Sequence, residues 1–445
     1  MFVMIIAGFF TAIWAFNNVL TSGQQSRVMG SAPFMEVFLQ RNPTPAGGVL
    51  PTVDPDLSQG DDALDLLSLP LGNASATPSA DLEEEVTEAI VLPTNTPLPT
   101  NTPLPTNTPL PTNTPLPASD ANASSAQTVS LPGASRNTGF SWAQQTWNNC
   151  GPATITTALS YFGWTQDQEY AKNQLRPNRE DKNVSPYELA DFVNEEAQVT
   201  AMVRMGGDID LLRSLISAGF PVIVERGMFF EAYEWVGHYQ ALVAYDDSLN
   251  GFYAYDSFLG NGSAGEGILQ TYVELDSTWR HFNRLFIVVY SPDQETQLRA
   301  ILGDLWDADM AAQHAAEVAQ AEARANVDDA FAWHNLGTSL TALGRYQEAS
   351  TAFDRSSVIG TLPWRMLWYQ FGIFESYYET GRYDDIIALA NSNLNQTPEL
   401  EESLYWRALA YIEQGDTASA ISDLRTALSY NPHFTAAQVA LDNIQ

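Results

Sequence analysis

The chain contains a single cysteine, Cys150, in a position that suits a nucleophile. It lies where a loop passes into a predicted helix, in the run SWAQQTWNNCGPATITTALSYFGW. Asn148 and Asn149 before it are helix-capping residue types, and Pro152 suits a first helical turn because its missing N–H costs nothing there. The positive end of the helix dipole lowers the pKa of a cysteine at this place, which favours the nucleophilic thiolate.

Two glutamines precede the cysteine, Gln145 by five residues and Gln144 by six. A side-chain amide that curls beside the start of the helix would form an oxyanion hole together with the backbone N–H of Cys150. Such a hole stabilises the tetrahedral intermediate of acyl transfer. The spacing alone allows either glutamine to supply the amide.

The base that activates a thiol is normally a histidine, and the chain has five histidines. Three fall in the helical carboxy-terminal region, and His281 lies in the polar stretch WRHFNR. His238 stands at the start of the apolar strand HYQALVAYDD, from which it can face the helix of Cys150. Eighteen residues later Asp256 ends the next predicted strand, beyond a hairpin turn at 246–251. A carboxylate there would orient the imidazole and stabilise its charged form.

Taken together, the runs QTWNNCGPA, GHYQALVAYD and YDS resemble the double-glycine peptidases of the bacteriocin-exporter type, the peptidase C39-like family. The resemblance covers about residues 140–290 and implies a papain-like cysteine peptidase. It assigns the roles of nucleophile, general base, histidine-orienting residue and oxyanion donor to Cys150, His238, Asp256 and Gln145, respectively. Gln144 is the alternative for the last role.

The chain departs from the exporters of that family, which join the peptidase to a multi-span transporter and an ATP-binding domain. It has no GxxxxGK phosphate-binding pattern, and the Gly-rich loop at 260–268 lacks lysine. Removal of leader peptides at a Gly-Gly site is therefore not implied. The resemblance implies thiol hydrolysis of peptide or amide bonds.

The helices and strands that must position these side chains are predicted to form an α+β domain at 136–293. Ser185 and Glu188 form a capping box in front of an amphipathic helix at 185–197, and a second helix is predicted at 208–219. Buried strands are predicted at 221–227 and 284–290, and a mobile loop near the site at 260–268.

The region 297–445 is predicted to be an all-α solenoid. Gly344, Gly381 and Gly415 recur at intervals of 37 and 34 residues, each in a turn between helices. Their surroundings resemble tetratricopeptide repeats over about 328–433, with a degenerate middle copy. An additional helix pair at 298–326 is either a partial repeat or an adapter to the peptidase domain.

Stacked helix pairs of this kind form a groove, for which a peptide or protein partner is expected. Aromatic residues are dense near the middle repeat and suggest an interface with the peptidase domain. They are Trp364, Trp368, Tyr369, Phe371, Tyr377 and Tyr378.

The amino-terminal part of the chain predicts an anchor and a spacer. Residues 1–22 are apolar, without a charged side chain before Arg27, and predict a transmembrane helix; a cleaved signal peptide is the alternative. Residues 23–135 predict a disordered Pro/Thr-rich linker, with the hexad TNTPLP four times in succession at 94–117. The hexads favour an extended polyproline-II-like spacer. This design is typical of a bacterial membrane protein with its catalytic domain outside the cell.

The composition excludes some functions. Acidic residues outnumber basic ones by 53 to 20, which gives a formal net charge of −33. Such a chain repels nucleic acid, so no nucleic-acid partner is expected. Five scattered histidines and one cysteine indicate no metal site, and no cofactor is predicted.

The leading hypothesis is a membrane-anchored, extracytoplasmic cysteine peptidase whose repeats recruit a peptide substrate or protein partner. One rival is a catalytically silent papain-like binding module attached to a repeat scaffold. Another is related thiol chemistry on the same fold, by an amidase or a transamidase.

Overall fold

The computed structural model describes residues 62–71, 131–181, 183–230 and 234–445. The anchor predicted at 1–22 and the TNTPLP hexads at 94–117 lie outside these residues. Within the described ranges, no helix is both long and apolar enough to cross a bilayer.

An antiparallel sheet is the centre of the first folded region. Its strands are β1 (Ala134–Arg136), β2 (Thr200–Arg204), β3 (Val222–Phe230), β4 (Glu234–Asp246), β5 (Gly251–Asp256), β6 (Ile268–Thr271) and β7 (Phe286–Tyr290). The order across the sheet is β2-β7-β3-β4-β5-β6, and β1 pairs with the end of β4. Strands β4 and β5, which carry the predicted histidine and aspartate, are therefore direct neighbours.

Helices flank the sheet and then continue to the end of the chain. Helix α1 (Asp62–Asp65) precedes the first region in the chain. The helices of the first region are α2 (Cys150–Ser160), α3 (Gln168–Leu175), α4 (Pro186–Glu196), α5 (Ile209–Ser217) and α6 (Tyr272–Trp279). Those that follow are α7 (Glu295–Leu302), α8 (Ala308–Ala325), α9 (Ala330–Ala342), α10 (Tyr346–Ile359), α11 (Gly372–Glu379), α12 (Tyr383–Gln396), α13 (Glu401–Glu413), α14 (Thr417–Tyr430) and α15 (Thr435–Asn443).

Strand β4 buries both of its faces because the sheet lies between two helical layers. Tyr239 and Ala241 point to one face, where α2, α3 and α4 pack. Leu242 points to the other face and packs with Phe252 and Trp279, near α5 and α6. This alternation follows from the period of two along a strand. The predicted α+β fold is thus observed, with the cysteine helix on the Tyr239 side.

Local sequence signals explain where the helices begin. The predicted capping box is confirmed, since Ser185 accepts a hydrogen bond from the Glu188 N–H while Glu188 accepts one from the Ser185 N–H. Asp208 caps α5 by accepting from the Leu211 N–H at 2.7 Å. Each cap satisfies amide groups that a helix leaves without an internal partner.

Helices α9 to α14 form three antiparallel pairs, as the repeat pattern predicts. Gly344, Gly381 and Gly415 stand in the turns within the pairs with φ of 69°, 72° and 78°. Only glycine adopts this left-handed conformation at little cost, which explains the spacing seen in the sequence.

The adapter alternative for the additional helix pair describes α8 well. Arg280 of the first region forms ion pairs with Glu322 of α8 at 3.0 Å and with Asp329 at 2.7 Å. The buried Asn283 donates to the Ser339 hydroxyl of α9 at 2.8 Å. The sheet region and the repeats are therefore joined by buried polar contacts as well as by the chain.

The structure departs from the predicted linker, 23–135, in the two stretches of it that are described, 62–71 and 131–135. Ala63, Leu66 and Leu71 are buried against α8 and α10, and Gln320 of α8 donates to the Leu66 carbonyl at 2.7 Å. Further along, β1 adds a strand from residue 134. The Pro/Ser/Thr-rich composition conceals these short segments, whose apolar residues or backbone groups find partners far along the chain.

Candidate active site

The predicted histidine and aspartate meet in the interior of the first region. The Nε2 atom of His238 lies 3.0 Å from Oδ1 of Asp256, and the two residues are 5% and 0% exposed. Gln240, two residues after His238 and on the same face of β4, donates to Oδ2 of Asp256 at 2.6 Å. The amides of Phe258 and Leu259 donate to Oδ1, each at 2.7 Å. The carboxylate is therefore held in one orientation.

Hydrogen bonds and charge keep this pair ionised despite its burial. Burial would raise the pKa of the Asp256 carboxyl, but the charge and hydrogen bond of His238 outweigh it and bring the pKa to about 2. Burial would lower the pKa of His238, yet Asp256 and Cys150 raise it to about 10. An imidazolium beside a carboxylate is what a thiolate needs as its counter-ion.

Cys150 is the first residue of α2 and is half-buried. Burial would raise the pKa of its thiol, but the hydrogen bond and charge of His238 lower it below the ordinary value. The backbone amides of Tyr239 and Gly151 lower it further. Thr154 on the next turn of α2 donates to the Tyr239 carbonyl at 3.3 Å, which fixes this helix against β4.

The asparagines before the cysteine do not cap the helix as predicted. Asn149 occupies the cap position, but its side chain makes no capping hydrogen bond. Its amide instead donates to Oε1 of Gln168 at 2.7 Å, inside the protein. Asn148 has a φ of 52° and donates to the Asp181 carbonyl. Both side chains hold the loop that carries Cys150 in place against neighbouring segments.

The two candidate glutamines have different partners, both just after Asp256. Gln145 pairs through its backbone N–H with the Ser257 carbonyl, and its side-chain oxygen accepts from the Ser257 hydroxyl at 2.8 Å. Gln144 is exposed and donates its side-chain amide to the Phe258 carbonyl at 3.2 Å. Among the described residues, the Gln145 side-chain NH₂ has no hydrogen-bond acceptor and is available to a substrate oxygen.

The Gly-rich loop at 260–268 begins beside the site, since Gly260 and Asp256 exchange two backbone hydrogen bonds of 3.0 Å. Tyr255 also donates to the Gly265 carbonyl at 2.7 Å. The predicted position of the loop next to the aspartate is confirmed, and its mobility stays a prediction.

The repeats reach the site through Tyr369, between α10 and α11. A Cβ atom placed on Gly237 would lie 3.0 Å from Cδ1 of Tyr369, so the ring rests on the residue before His238. Trp235 and Phe282 pack edge-on against the same ring, at centroid distances of 5.8 and 5.9 Å. The predicted aromatic interface is confirmed for Tyr369.

Two other members of the aromatic group, Tyr377 and Tyr378, lie within the repeats. Tyr377 is fully buried in the core of the repeats, and Tyr378 packs with Tyr383 and Trp406. Their density reflects the packing of the solenoid, and sequence alone does not separate them from Tyr369.

A group of carboxyls lies where α4 of the first region meets α13 of the repeats. Asn183 donates to Oε1 of Glu402 at 3.4 Å across this boundary. Burial, and then like charge, raise the pKa of Glu188 to about 7 and those of Glu401 and Glu402 well above the usual range. No group of three or more histidine, cysteine or acidic side chains able to hold a metal ion occurs in the described part of the chain.

Several residues of the site escaped the sequence analysis. Gln240 could have been found from its position two residues after His238, since alternate residues of a strand share a face. Ser257 was already part of the YDS run. Tyr369 and the buried Glu225 of β3 gave weaker signals, an aromatic cluster and a charge inside an apolar strand.

Comparisons with known proteins give matches for both folded regions. Residues 138–285 match the Peptidase C39 like family, and residues 332–356 and 401–434 match tetratricopeptide repeats. A crystal structure of a putative C39-like peptidase from Bacillus anthracis is similar at 15% identity and a TM-score of 0.28, over 36% of this chain and 98% of that one. The search of curated proteins gave no match. Residues 138–285 are therefore similar to the Peptidase C39 like family, and matches to tetratricopeptide repeats follow them in the chain.

Proposed function

We propose that the chain is a cysteine peptidase that hydrolyses peptide bonds through Cys150, His238 and Asp256. The observation that carries the proposal is the position of His238, which interacts with the Cys150 thiol while its Nε2 atom is bound to Asp256. A buried histidine that serves only structure needs no thiol partner at the start of a helix.

In the proposed reaction, the Cys150 thiolate attacks the carbonyl carbon and forms an S–C bond. The oxyanion is stabilised by the Cys150 N–H and the side-chain NH₂ of Gln145, with Gln144 as the alternative donor. His238 gives its proton to the amine nitrogen as the C–N bond breaks. It then takes a proton from water, whose oxygen attacks the thioester, and the S–C bond breaks to restore the thiolate.

The test uses the full chain with pools of fluorogenic peptides and mass spectrometry of the products. The wild type should cleave a subset of peptides with the addition of one water, whereas Cys150→Ala should abolish cleavage. His314→Ala, at an exposed histidine of α8, is the matched control and should leave the rate unchanged. Products that carry an amine instead of water would indicate a transamidase.

The opposite outcome would favour the silent binding module. In that case no pool is cleaved, or Cys150→Ala leaves cleavage unchanged, and the Cys150 thiol titrates near the ordinary value of about 8.5. The repeat groove would then be the functional part of the chain.

The proposal extends to location and partners. The apolar segment 1–22 and the Thr/Pro-rich segment after it support a single-pass anchor in a bacterial membrane, with the peptidase domain extracytoplasmic. Fractionation of cells that express the full chain or a chain from residue 23 tests this, since only the full chain should sediment with membranes. The groove of the repeats is proposed to bind a peptide or protein.

A further inference from the structure

A buried carboxyl lies beside the proposed triad but takes no part in it. Glu225 of β3 is 3% exposed and pairs in register with Tyr239, the residue after His238. Side chains directly opposite each other in an antiparallel pair lie on the same face of the sheet. Glu225 therefore shares with Tyr239 the face on which α2, the helix of Cys150, is packed.

The ring of Tyr239 connects this face to the nucleophile. A Cβ atom placed on Gly151 would lie 3.6 Å from Cε2 of Tyr239, so the ring touches the first turn of α2. The Tyr239 hydroxyl donates to the Val184 carbonyl at 2.9 Å, which fixes the ring in place. Burial first, and then the negative charge of Cys150, raise the pKa of the Glu225 carboxyl well above its usual range. The carboxyl thus lies within electrostatic reach of the thiolate.

The repeats supply a further wall on the same side. The Tyr369 ring covers Gly237, the residue before His238. Burial raises the pKa of Tyr369, and the charges of Cys150 and Glu225 raise it further. Tyr369 therefore stands near both the thiolate and the buried carboxyl.

Glu225 has no cationic partner among the described residues. Its neighbour Arg226 points to the opposite face, where it donates to Gln240 at 3.2 Å and also to Gln270. Removing an ionised carboxyl from water without a cation is costly, so the raised pKa keeps Glu225 protonated in the free protein. A cation bound beside Glu225 would favour the ionised carboxylate.

We propose that Glu225, Tyr239 and Tyr369 form a subsite beside Cys150 that receives a positively charged group of the substrate, an ammonium or guanidinium. Glu225 would lose its proton as the cation enters and would then supply the negative charge. The two phenol rings would shape the walls and favour a cation by their π faces. The proposal rests on the proposed peptidase function, because it names the substrate class of that site.

The test compares two thiol reagents of opposite charge on the full chain. These are (2-aminoethyl) methanethiosulfonate, which is cationic, and (2-sulfonatoethyl) methanethiosulfonate, which is anionic. Cys150 is the only cysteine, so the rate constants report on one thiol. The ratio of the cationic to the anionic rate should exceed that of free cysteine and should fall about tenfold in Glu225→Gln, as expected for one close charge. Glu195→Gln is the matched control, since it removes an exposed charge of the same domain and should leave the ratio unchanged.

Two further measurements keep the outcome decisive. If circular dichroism shows that Glu225→Gln does not fold, Tyr369→Ala takes its place, and the ratio should fall there as well. A wild-type ratio no higher than that of free cysteine, or a ratio equal in wild type and Glu225→Gln, would overturn the subsite.

The reagents need only a thiol, so this result is independent of hydrolysis. A ratio that depends on Glu225 in a chain that cleaves no peptide would support the subsite and reject the peptidase. If peptides are cleaved, those with lysine or arginine near the scissile bond should lose kcat/KM in Glu225→Gln, and norleucine analogues should not.

Discussion

His238 and Asp256 lie on neighbouring strands with Nε2 and Oδ1 3.0 Å apart, which leaves Nδ1 of the imidazole for the Cys150 thiol. This orientation assigns the two ring nitrogens to different partners. The carboxylate fixes the ring and stabilises its positive charge, and the charged ring stabilises the thiolate.

Asp256→Asn should weaken the thiolate without displacing the ring. The amide keeps a hydrogen bond but loses the charge that raises the pKa of His238 to about 10. We expect alkylation of Cys150 by iodoacetamide at pH 6 to slow by at least about tenfold, the effect of one pKa unit. Asp191→Asn, at an exposed site on α4, is the control. Equal rates in both variants would show that Asp256 does not stabilise the charged pair.

The pH profile of alkylation should show a thiolate below the ordinary thiol range. His238 lowers the pKa of Cys150 against its burial, so the wild-type rate should stay high as pH falls below about 8.5. His238→Ala leaves burial without compensation, and the midpoint should therefore move above that value. A midpoint near 8.5 in both proteins would contradict the proposed ion pair.

The two glutamines can be separated by substitution. Gln145→Ala should lower kcat by about 10²–10³ with little change in KM, because an oxyanion donor acts in the transition state. Ser257→Ala should give a smaller loss, since it frees the Gln145 amide that the serine orients. Gln144→Ala should have little effect on kcat. A larger loss of kcat in Gln144→Ala than in Gln145→Ala would assign the oxyanion role to Gln144.

Stability should fall as pH rises through the titration of the interface carboxyls. The pKa of Glu188 rises from 4.5 to about 7 in the folded protein, and burial and like charge also raise that of Glu402 well above its usual range. Between the unfolded and folded pKa values of these carboxyls, the folded chain binds more protons than the unfolded chain. The free energy of unfolding therefore decreases as pH rises through this range. Denaturant unfolding at pH 5 and pH 8 measures this. Glu402→Gln should flatten the difference, whereas Glu195→Gln should not.

Periodicity in the sequence predicted the elements that hold the proposed triad. The helix after Cys150 and the strands of His238 and Asp256 follow from apolar spacing and turn residues, because these signals are local. The glycine turns of the repeats were equally readable, since only a left-handed backbone requires glycine at such intervals.

The contacts that complete the site come from far along the chain and leave no local signal. Tyr369 reaches Gly237 only because α8 and α9 bind the first region through residues such as Arg280 and Asn283. The partner of Asn149 is a glutamine on α3, so a residue type that favours capping serves a different purpose here.

Residues 62–71 pack against α8 and α10, so the hexad segment lies between two parts of the chain that are both packed in the fold. Leu71 is packed against the repeats, and the Pro132 carbonyl accepts the Tyr245 hydroxyl at 2.7 Å, so residues 72–130 join two fixed points of one body. Adding or removing TNTPLP units therefore changes only the length of chain between these two points.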